Sequence, residues 1–353
     1  MIPALAMLAG CSPGNDPTGA NGGQGGGTTG SFVGPGTGGG GNSPCEGTTY
    51  EAEFKPLNLY IMVDASSSME GTKWEAAREG LEAFLGASSD DVKAAINFFP
   101  RPPGGPSACD QMAYKEPAVA FGPLPANAQA ILDAFDARSP DGFNSPMFPA
   151  LGGAILKGID LTLQDPEEVS AVLLVTDGKP QGPGAPGDLC AGEDPSDPDA
   201  VAELAGTGFA FSPSIRTFVV GLPGVDVAIA NQIAAAGGSD EAVIVGTSDT
   251  ANQFAAALEK AHGAAVGCEF QLPDDLAEGT VDQGFVNVTL TPGGDNPDAV
   301  LANPGCSGAG DEGWTFDDAD DPKSIVLCEA TCAKLEGDPE ATINIVLGCP
   351  TAF

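Results

Sequence analysis

Two patterns of apolar and polar positions alternate along the middle of the chain. Six short apolar runs have the composition of buried strands, at residues 57–63, 94–99, 118–121, 169–176, 215–222 and 242–245. Apolar residues also recur at helical spacing, in segments that begin near residues 72, 128, 147, 201, 227 and 253. Strands that alternate with helices form a mainly parallel sheet covered on both faces. The pattern therefore predicts a three-layer, doubly wound α/β fold with a six-stranded sheet.

From Cys268 onwards the pattern changes. Residues 285–290, 324–327 and 343–347 have strand composition, and five of the nine cysteines lie in this last quarter of the chain. So short a segment buries little apolar surface, and we expect it to depend on disulfides and on packing against the larger domain. The sequence predicts a small, disulfide-rich β domain over residues 267–353.

Polar side chains cluster where predicted strands end and predicted helices begin. The segment Asp64–Ser68 follows the first strand, Asp177 follows the fourth strand, and Ser145 precedes the helix that begins near residue 147. The carboxyl ends of parallel strands share one edge of a sheet, where α/β proteins bind ligands. Carboxylate and hydroxyl oxygens are hard donors, suited to Mg²⁺ or Ca²⁺ rather than to zinc or copper.

Each of these patterns alone also has an ordinary structural interpretation. The segment Asp64–Ser68 is typical of a helix cap, and Asp177 followed by Gly178 is typical of a turn after a strand. Ser145 followed by Pro146 is typical of a helix start. Their ordered combination at strand and helix ends favours a cation site.

The combination resembles the von Willebrand factor type A (vWA) domain, which has the integrin I-domain fold, and its metal-ion-dependent adhesion site. The family pattern is Asp-x-Ser-x-Ser after the first strand, a Thr in a loop, and an Asp after the fourth strand. Asp64, Ser66, Ser68 and Asp177 match this pattern. The Thr position falls on Ser145, which keeps the hydroxyl but lacks the methyl group that stiffens the rotamer.

This resemblance extends over roughly residues 54–266 and implies a vWA domain over residues 45–266, with strand order 3-2-1-4-5-6. It implies a site for Mg²⁺, with Mn²⁺ or Ca²⁺ as alternatives. The three serines would bind the cation directly, and the two aspartates would act directly or through water. The resemblance implies the cation ligands Asp64, Ser66, Ser68, Ser145 and Asp177.

The family's strand order also implies a disulfide. Cys109 lies in the loop after the second strand and Cys190 in the loop after the fourth, and these strands flank the first. We therefore predict a Cys109–Cys190 bridge over the metal edge, shaping the rim that a ligand meets. Six further cysteines would pair among themselves, with their connectivity left open: Cys45, Cys268, Cys306, Cys328, Cys332 and Cys349.

The amino-terminal part resembles that of a bacterial lipoprotein. Residues 8–11, Leu-Ala-Gly-Cys, resemble a lipobox, which predicts a signal over residues 1–11 and lipidation of Cys11. The apolar run before it is short and carries no basic residue. Residues 12–44 contain 14 glycines, which predicts a flexible tether. The expected location is the bacterial cell envelope, with a lipid anchor in the outer membrane or at the cell surface.

The net charge of the chain restricts the kinds of molecule that it is expected to bind. The chain has 49 acidic and 13 basic residues, a formal charge of −36. Such a protein is not expected to bind nucleic acid or to dock electrostatically on anionic lipid, so membrane contact is expected only through the lipid anchor. The cation site instead predicts a protein ligand that presents Asp or Glu, because a bound cation locally inverts the field.

The function expected from the sequence is non-enzymatic adhesion or binding at the cell surface. An envelope assembly or scaffold component with a structural metal is the first alternative, and a metal-dependent hydrolase is the second. The single histidine, His262, falls in the predicted closing helix, away from the metal edge. The Gly-x-Ser-x-Gly and Ser-x-x-Lys motifs of serine hydrolases and lactamases do not occur. The ligand and the oligomeric state are left open.

Overall fold

The computed structural model describes most of the chain from residue 28 to residue 352. All structural statements below refer to the described residues, which are 28–32, 45–52, 55–88, 92–101, 109–182, 189–190, 192–239, 241–255, 268–273, 282–292, 298–306, 310–320, 322–336 and 341–352. Within these ranges, none of the helices combines the length and the apolar character needed to cross a bilayer.

Fourteen strands and seven helices are bounded on both sides within these residues. The strands are β1 Thr28–Phe32, β2 Cys45–Glu51, β3 Leu57–Asp64, β4 Val92–Phe99, β5 Val119–Pro123, β6 Val169–Thr176, β7 Arg216–Gly221, β8 Val243–Ile244, β9 Glu269–Gln271, β10 Val286–Thr291, β11 Asp298–Val300, β12 Trp314–Phe316, β13 Ser324–Leu327 and β14 Thr342–Leu347. The helices are α1 Thr72–Ala87, α2 Gln111–Lys115, α3 Ala128–Ala137, α4 Met147–Gln164, α5 Pro198–Phe209, α6 Val227–Ala236 and α7 Glu329–Glu336. Residues 250–255 are also helical.

The central sheet has the order β5-β4-β3-β6-β7-β8, which confirms the predicted α/β fold and its vWA-like strand order. Successive side chains of a strand point to opposite faces. Ile61 of β3 therefore packs in a core with α1 and α3, while its neighbour Met62 packs in a second core with α4, α5 and α6. All eight residues of β3 are buried, as expected for a central strand covered on both faces.

One strand of this sheet runs in the opposite direction. β5 pairs antiparallel with β4, whereas the other neighbouring pairs are parallel. A parallel return needs a long crossover, usually a helix that packs on the sheet. The only helix described between β4 and β5 is α2, which has five residues and packs beside α4. The chain therefore returns beside β4 in the antiparallel direction.

The remaining strands form a second region, which we call the β region. It contains a five-stranded antiparallel sheet of order β1-β2-β14-β10-β11 and a three-stranded sheet of order β12-β13-β9. Their shared core includes Phe270, Trp314 and Ile345. Disulfides join Cys268 to Cys332 and Cys306 to Cys328 within this region, and Cys349 is also disulfide-bonded.

Two elements differ from the boundaries predicted from sequence. β1 lies within the glycine-rich segment that was predicted as a tether, and it pairs antiparallel with β2. β2 lies at the predicted start of the vWA domain, yet it joins the β region by pairing with β14, where Thr49 faces Val346. Composition alone hides both strands, since β1 lies in a glycine-rich segment and pairs only with β2, and the other pairing partner of β2, β14, lies almost 300 residues later. Cys11 and its lipobox lie outside the described residues.

Candidate metal site

The predicted metal ligands lie on three segments that meet at the carboxyl edge of the central sheet. β3 ends at Asp64, and the loop after it carries Ser66 and Ser68. Asp177 follows β6, which pairs in parallel with β3, so that both strands deliver a carboxylate to the same edge. Ser145 lies just before α4. The structure therefore brings all five predicted residues to one end of the sheet.

Asp64 is a fully buried carboxylate held from two sides. Its Oδ1 accepts a hydrogen bond from the backbone N–H of Ser66 at 2.9 Å, and its Oδ2 accepts one from the Thr176 hydroxyl at 2.7 Å. Burial raises the pKa of Asp64 to about 6, although hydrogen bonds from Ser66, Thr176 and Ser145 favour the charged form. The fixed position and the cost of burial make this carboxylate a strong site for a compensating positive charge.

A chain of hydroxyls leads from Asp64 to the second carboxylate. The Oγ atoms of Ser66 and Ser68 are 3.0 Å apart, and the Ser68 hydroxyl donates to Oδ1 of Asp177 at 2.7 Å. The other oxygen of Asp177, Oδ2, forms an ion pair with Nζ of Lys73 from the first turn of α1. The two carboxylates are thus linked through serine side chains, and one of them already has a cationic partner.

Backbone hydrogen bonds join the three segments to one another. Gly142 accepts from the N–H of Ser67 at 2.9 Å and donates to the carbonyl of Ala65 at 3.0 Å. A Cβ at position 142 would lie 2.3 Å from Cγ of Pro100, so that this approach requires glycine. On the other side, Gln181 N–H donates to the carbonyl of Ser145 at 3.0 Å. The spacing of the polar side chains is therefore set by the backbone.

The site opens into a cleft of about 610 Å³. Phe143 lies at its edge with 84% of its surface exposed, next to Asn144, whose φ of 65° is in the left-handed region. The Asn144 side chain donates to the carbonyl of Gly182 at 2.7 Å, which fixes this turn. The described residues that line the cleft are Ser66, Ser67, Ser68, Phe143, Asn144, Ser145, Asp177, Gly178, Lys179, Gln181, Gly224, Val225 and Asp226.

The chemistry of these donors fits a hard divalent cation. Two carboxylates and three hydroxyls supply only oxygen, the ligand type that Mg²⁺ and Ca²⁺ prefer. Among the described residues, no group of three or more His, Cys, Asp or Glu side chains is placed to hold a metal. A cation here would therefore depend on the serine hydroxyls for much of its coordination, as in the pattern recognised in the sequence.

Sequence reasoning missed two polar partners of the site. Thr176 is the last residue of β6, and its hydroxyl holds Asp64. Lys73 is one of only 13 basic residues and lies in the first turn of α1, where the helix dipole disfavours a cation. That unfavourable placement is a signal that the lysine has a nearby acidic partner.

The structure joins Cys109 to Cys190, the pair predicted from the family's strand order, with Cα atoms 5.2 Å apart. Its position differs from the expected rim. Cys190 is fully buried in the core that includes Met147 and Phe148, with Cys109 packed against that core. Neither cysteine is among the described residues that line the cleft. The bridge therefore contributes to packing on one face of the sheet rather than to the cleft's surface.

Comparisons with known proteins add little to this description. No family model and no curated protein matches the sequence. Among solved structures, proximal thread matrix protein 1 from the mussel byssus is similar over 62% of this chain and 48% of its own, at 15% identity and a TM-score of 0.40. The human COPII-coat protein Sec24c is similar over 86% of this chain and 42% of its own, at 10% identity and a TM-score of 0.36.

The chain spans about half the length, or less, of these solved structures. At such TM-scores neither likeness supports a conclusion about fold or function. The vWA-like architecture therefore rests on the strand order and helix placement of the chain itself.

Proposed function

We propose that the protein is a non-enzymatic binding module, which captures an acidic group of a protein ligand through a divalent cation. The observation that carries this proposal is that Ser66, Ser68, Ser145 and Asp177 line one open cleft, with the buried carboxylate of Asp64 directly behind the serine hydroxyls. The proposed cation ligands are Asp64, Ser66, Ser68, Ser145 and Asp177. Mg²⁺ is the proposed cation, with Mn²⁺ and Ca²⁺ as alternatives.

When bound, the cation would supply a positive centre that accepts a carboxylate from the partner. The side chains of the protein supply the rest of the recognition. Asp64 and Asp177 provide the negative charge that retains the cation, and Ser145 closes the set from the α4 side. The exposed ring of Phe143 offers an apolar contact beside the ligand's acidic group. A partner segment with Asp or Glu next to an apolar side chain matches this surface.

The open cleft supports ligand capture over a purely structural role for the cation. A metal that only held the loops together would not need access, because backbone hydrogen bonds already join these segments. The cleft instead exposes Phe143 on the same surface as Asp177. We propose that the module acts at the bacterial cell envelope, held by lipidated Cys11.

Titration calorimetry with Mg²⁺ tests the proposed site. Asp64→Asn and Asp177→Asn each remove one charge while keeping the side-chain shape, and we expect each to weaken Mg²⁺ binding at least about tenfold. Asp133→Asn, on the exposed surface of α3, is the matched control and should bind like the unaltered protein. Unchanged affinity in both site variants would refute the assignment.

A second experiment tests whether the protein captures partners only when a divalent cation is present. The full-length protein is immobilised and exposed to surface extract with Mg²⁺ or with EDTA, and the Asp177→Asn variant is treated in the same way. Partners retained only by the unaltered protein with Mg²⁺ support cation-dependent capture. Retention that survives both EDTA and the substitution contradicts it.

A further inference from the structure

Lys73 occupies a position that an ordinary surface lysine would not take. Its ammonium group contacts Oδ2 of Asp177, whose side chain is fully buried, while the lysine side chain itself is 26% exposed. The first turn of a helix carries partial positive charge, which disfavours a lysine there. Without the carboxylate, the ammonium would gain more from full hydration. The ion pair with Asp177 therefore accounts for its inward placement.

The loop after β7 covers this ion pair. Gly224 has a φ of 112°, and a Cβ added there would lie 3.5 Å from Nζ of Lys73 and 3.2 Å from the carbonyl oxygen of Asp177. Leu222 N–H donates to the carbonyl of Thr176 at 2.8 Å, which holds the loop against the end of β6. The ammonium group is thus enclosed between α1 and this loop rather than lying free in the cleft.

The two buried carboxylates of the site have no cationic partner other than Lys73 among the described residues. Asp64 and Asp177 are both buried and are connected by only two serine hydroxyls. Buried carboxylates are costly unless a positive charge or several hydrogen bonds compensate them. Lys179, the lysine among the described residues that line the cleft, is exposed to solvent. Lys73 therefore supplies the internal positive charge of the site.

We propose that Lys73 is an internal counter-ion that competes with the divalent cation for Asp177 and thereby sets the cation affinity of the site. This inference rests on the proposed function, since it concerns the same cation site. A cation that enters meets two carboxylates and one ammonium group instead of two carboxylates alone. Repulsion between the cation and Lys73 opposes binding at this short range. The site is consequently weaker and more readily reversible than its ligands alone would make it.

The test compares three full-length variants by titration calorimetry with MgCl₂. Lys73→Met keeps the length and packing of the side chain without its charge, and it should bind Mg²⁺ at least about tenfold more tightly than the unaltered protein. Lys73→Arg keeps the charge and should not bind more tightly. Lys179→Met, which removes an exposed charge of the same cleft, should change the affinity less than threefold, because solvent screens it.

Thermal unfolding supplies a readout that does not depend on the ligand. In EDTA, Lys73→Met should unfold at a lower temperature than the unaltered protein, because the two carboxylates lose their counter-ion. Saturating Mg²⁺ should remove most of this difference, since the cation replaces the missing charge. Lys73→Gln, which retains a hydrogen-bond donor towards Asp177, provides a second neutral variant if the methionine variant folds poorly.

The outcomes separate this inference from the proposed function. If the unaltered protein and Lys179→Met show no Mg²⁺ binding, the proposed function is wrong. If both bind Mg²⁺ but the neutral variants at position 73 bind it equally or more weakly, only the role of Lys73 as a competitor is wrong. Weaker binding in those variants would instead make Lys73 a residue that positions Asp177 for the cation.

Discussion

The central α/β region and the β region obtain their cores in different ways. In the α/β region, one continuous sheet is buried under helices on both faces, with separate apolar clusters on each side. The β region packs two small antiparallel sheets around Phe270 and Trp314 and links its loops by disulfides. Because a small core buries a smaller fraction of its surface, covalent links have to replace part of the apolar stabilisation.

A polar contact connects the two regions. Lys55, just before β3, is largely buried and pairs with Glu269 of β9 at 2.6 Å. The Ser324 hydroxyl donates to the same carboxylate. The contact is small, so that the two regions are expected to unfold separately. The two tryptophans report on them individually, because Trp74 stacks on Phe135 in the α/β region and Trp314 lies in the core of the β region.

The largest expected effect is a loss of stability that is limited to the β region. Replacing Cys268 and Cys332 by alanine opens a loop of 64 residues, which should cost about 4 kcal/mol on the chain-entropy account. Replacing Cys306 and Cys328 opens one of 22 residues and should cost about 3 kcal/mol. Urea unfolding followed by Trp314 fluorescence, in a Trp74→Phe background, should show both losses.

The complementary background provides the control for this comparison. With Trp314→Phe, Trp74 reports the α/β region, whose transition should stay within about 0.5 kcal/mol of the unaltered protein in both cysteine variants. A Trp74 transition that moves together with the Trp314 transition would show that the two regions unfold as one cooperative unit.

The pH effect that arises from Asp64 should act on the stability of the α/β region. The pKa of Asp64 is about 6 in the folded protein against an ordinary 3.8, so that the folded state binds more protons between these values. Protonated Asp64 therefore contributes to the free energy of unfolding below about pH 3.8, and this contribution is lost as pH rises through 6. In the cation-free protein, the free energy of unfolding should change by about 3 kcal/mol at most. Asp64→Asn lacks this titration.

The measurement compares the unfolding free energy of Asp64→Asn and the unaltered protein in EDTA at several values between pH 4 and pH 7, followed by Trp74. The difference should shift in favour of the asparagine variant as pH rises, whereas the Trp314 transition should give no such shift. A difference that is constant across this range would contradict the burial argument for Asp64.

Substitution by alanine should lower the stability of the α/β region at Gly142 and raise it at Gly86. Gly142→Ala places a methyl group against Pro100 and should destabilise the region by about 1–3 kcal/mol, while weakening Mg²⁺ binding, because Gly142 spaces the loops of the site. Differential scanning calorimetry and Mg²⁺ titration of this variant give both readouts. Equal stability and affinity would show that these loops adapt freely.

The smallest expected effect is a gain in stability. Gly86 lies on the exposed side of α1, with no atom within 4 Å of a Cβ added there. Gly86→Ala should stabilise the α/β region by about 0.5–1 kcal/mol, since glycine loses more backbone freedom in a helix than alanine. The Trp74 transition in urea should move to higher concentration, and no change in m-value is expected.

Local patterns were sufficient to predict the central sheet and the placement of the site residues. The apolar runs that became β3 and β6 are continuous, and Asp64 and Asp177 follow them at once. These features depend on neighbours in sequence. The direction of β5 depends instead on the connection that precedes it, in which the only described helix is the five-residue α2. The pairing of β2 depends on β14, which follows almost 300 residues later. Such long-range pairing leaves little local signal.

Side-chain partners were the part of the site that sequence could not supply. Lys73 and Thr176 approach the two carboxylates only because α1 begins directly above the edge and β6 pairs with β3. The predicted Cys109–Cys190 pair is present, yet its burial places it away from the cleft. The pairing of these two cysteines could be predicted from the order of the strands, whereas the burial of their disulfide depends on how the loops that carry them pack.

The chain order β1, β2, β3 also determines how the protein would carry mechanical tension. β2 lies in the β region and leads directly along the chain into β3, which ends at Asp64. A pull between the amino-terminal end and a ligand held at the cleft would therefore act along β3, which is paired in parallel with β4 on one side and β6 on the other. Such a pull strains these backbone hydrogen bonds in shear, so that they share the load. Before tension reaches β3, the pairing of β2 with β14 resists it, which makes the last strand of the chain a mechanical support for the strand that holds the site.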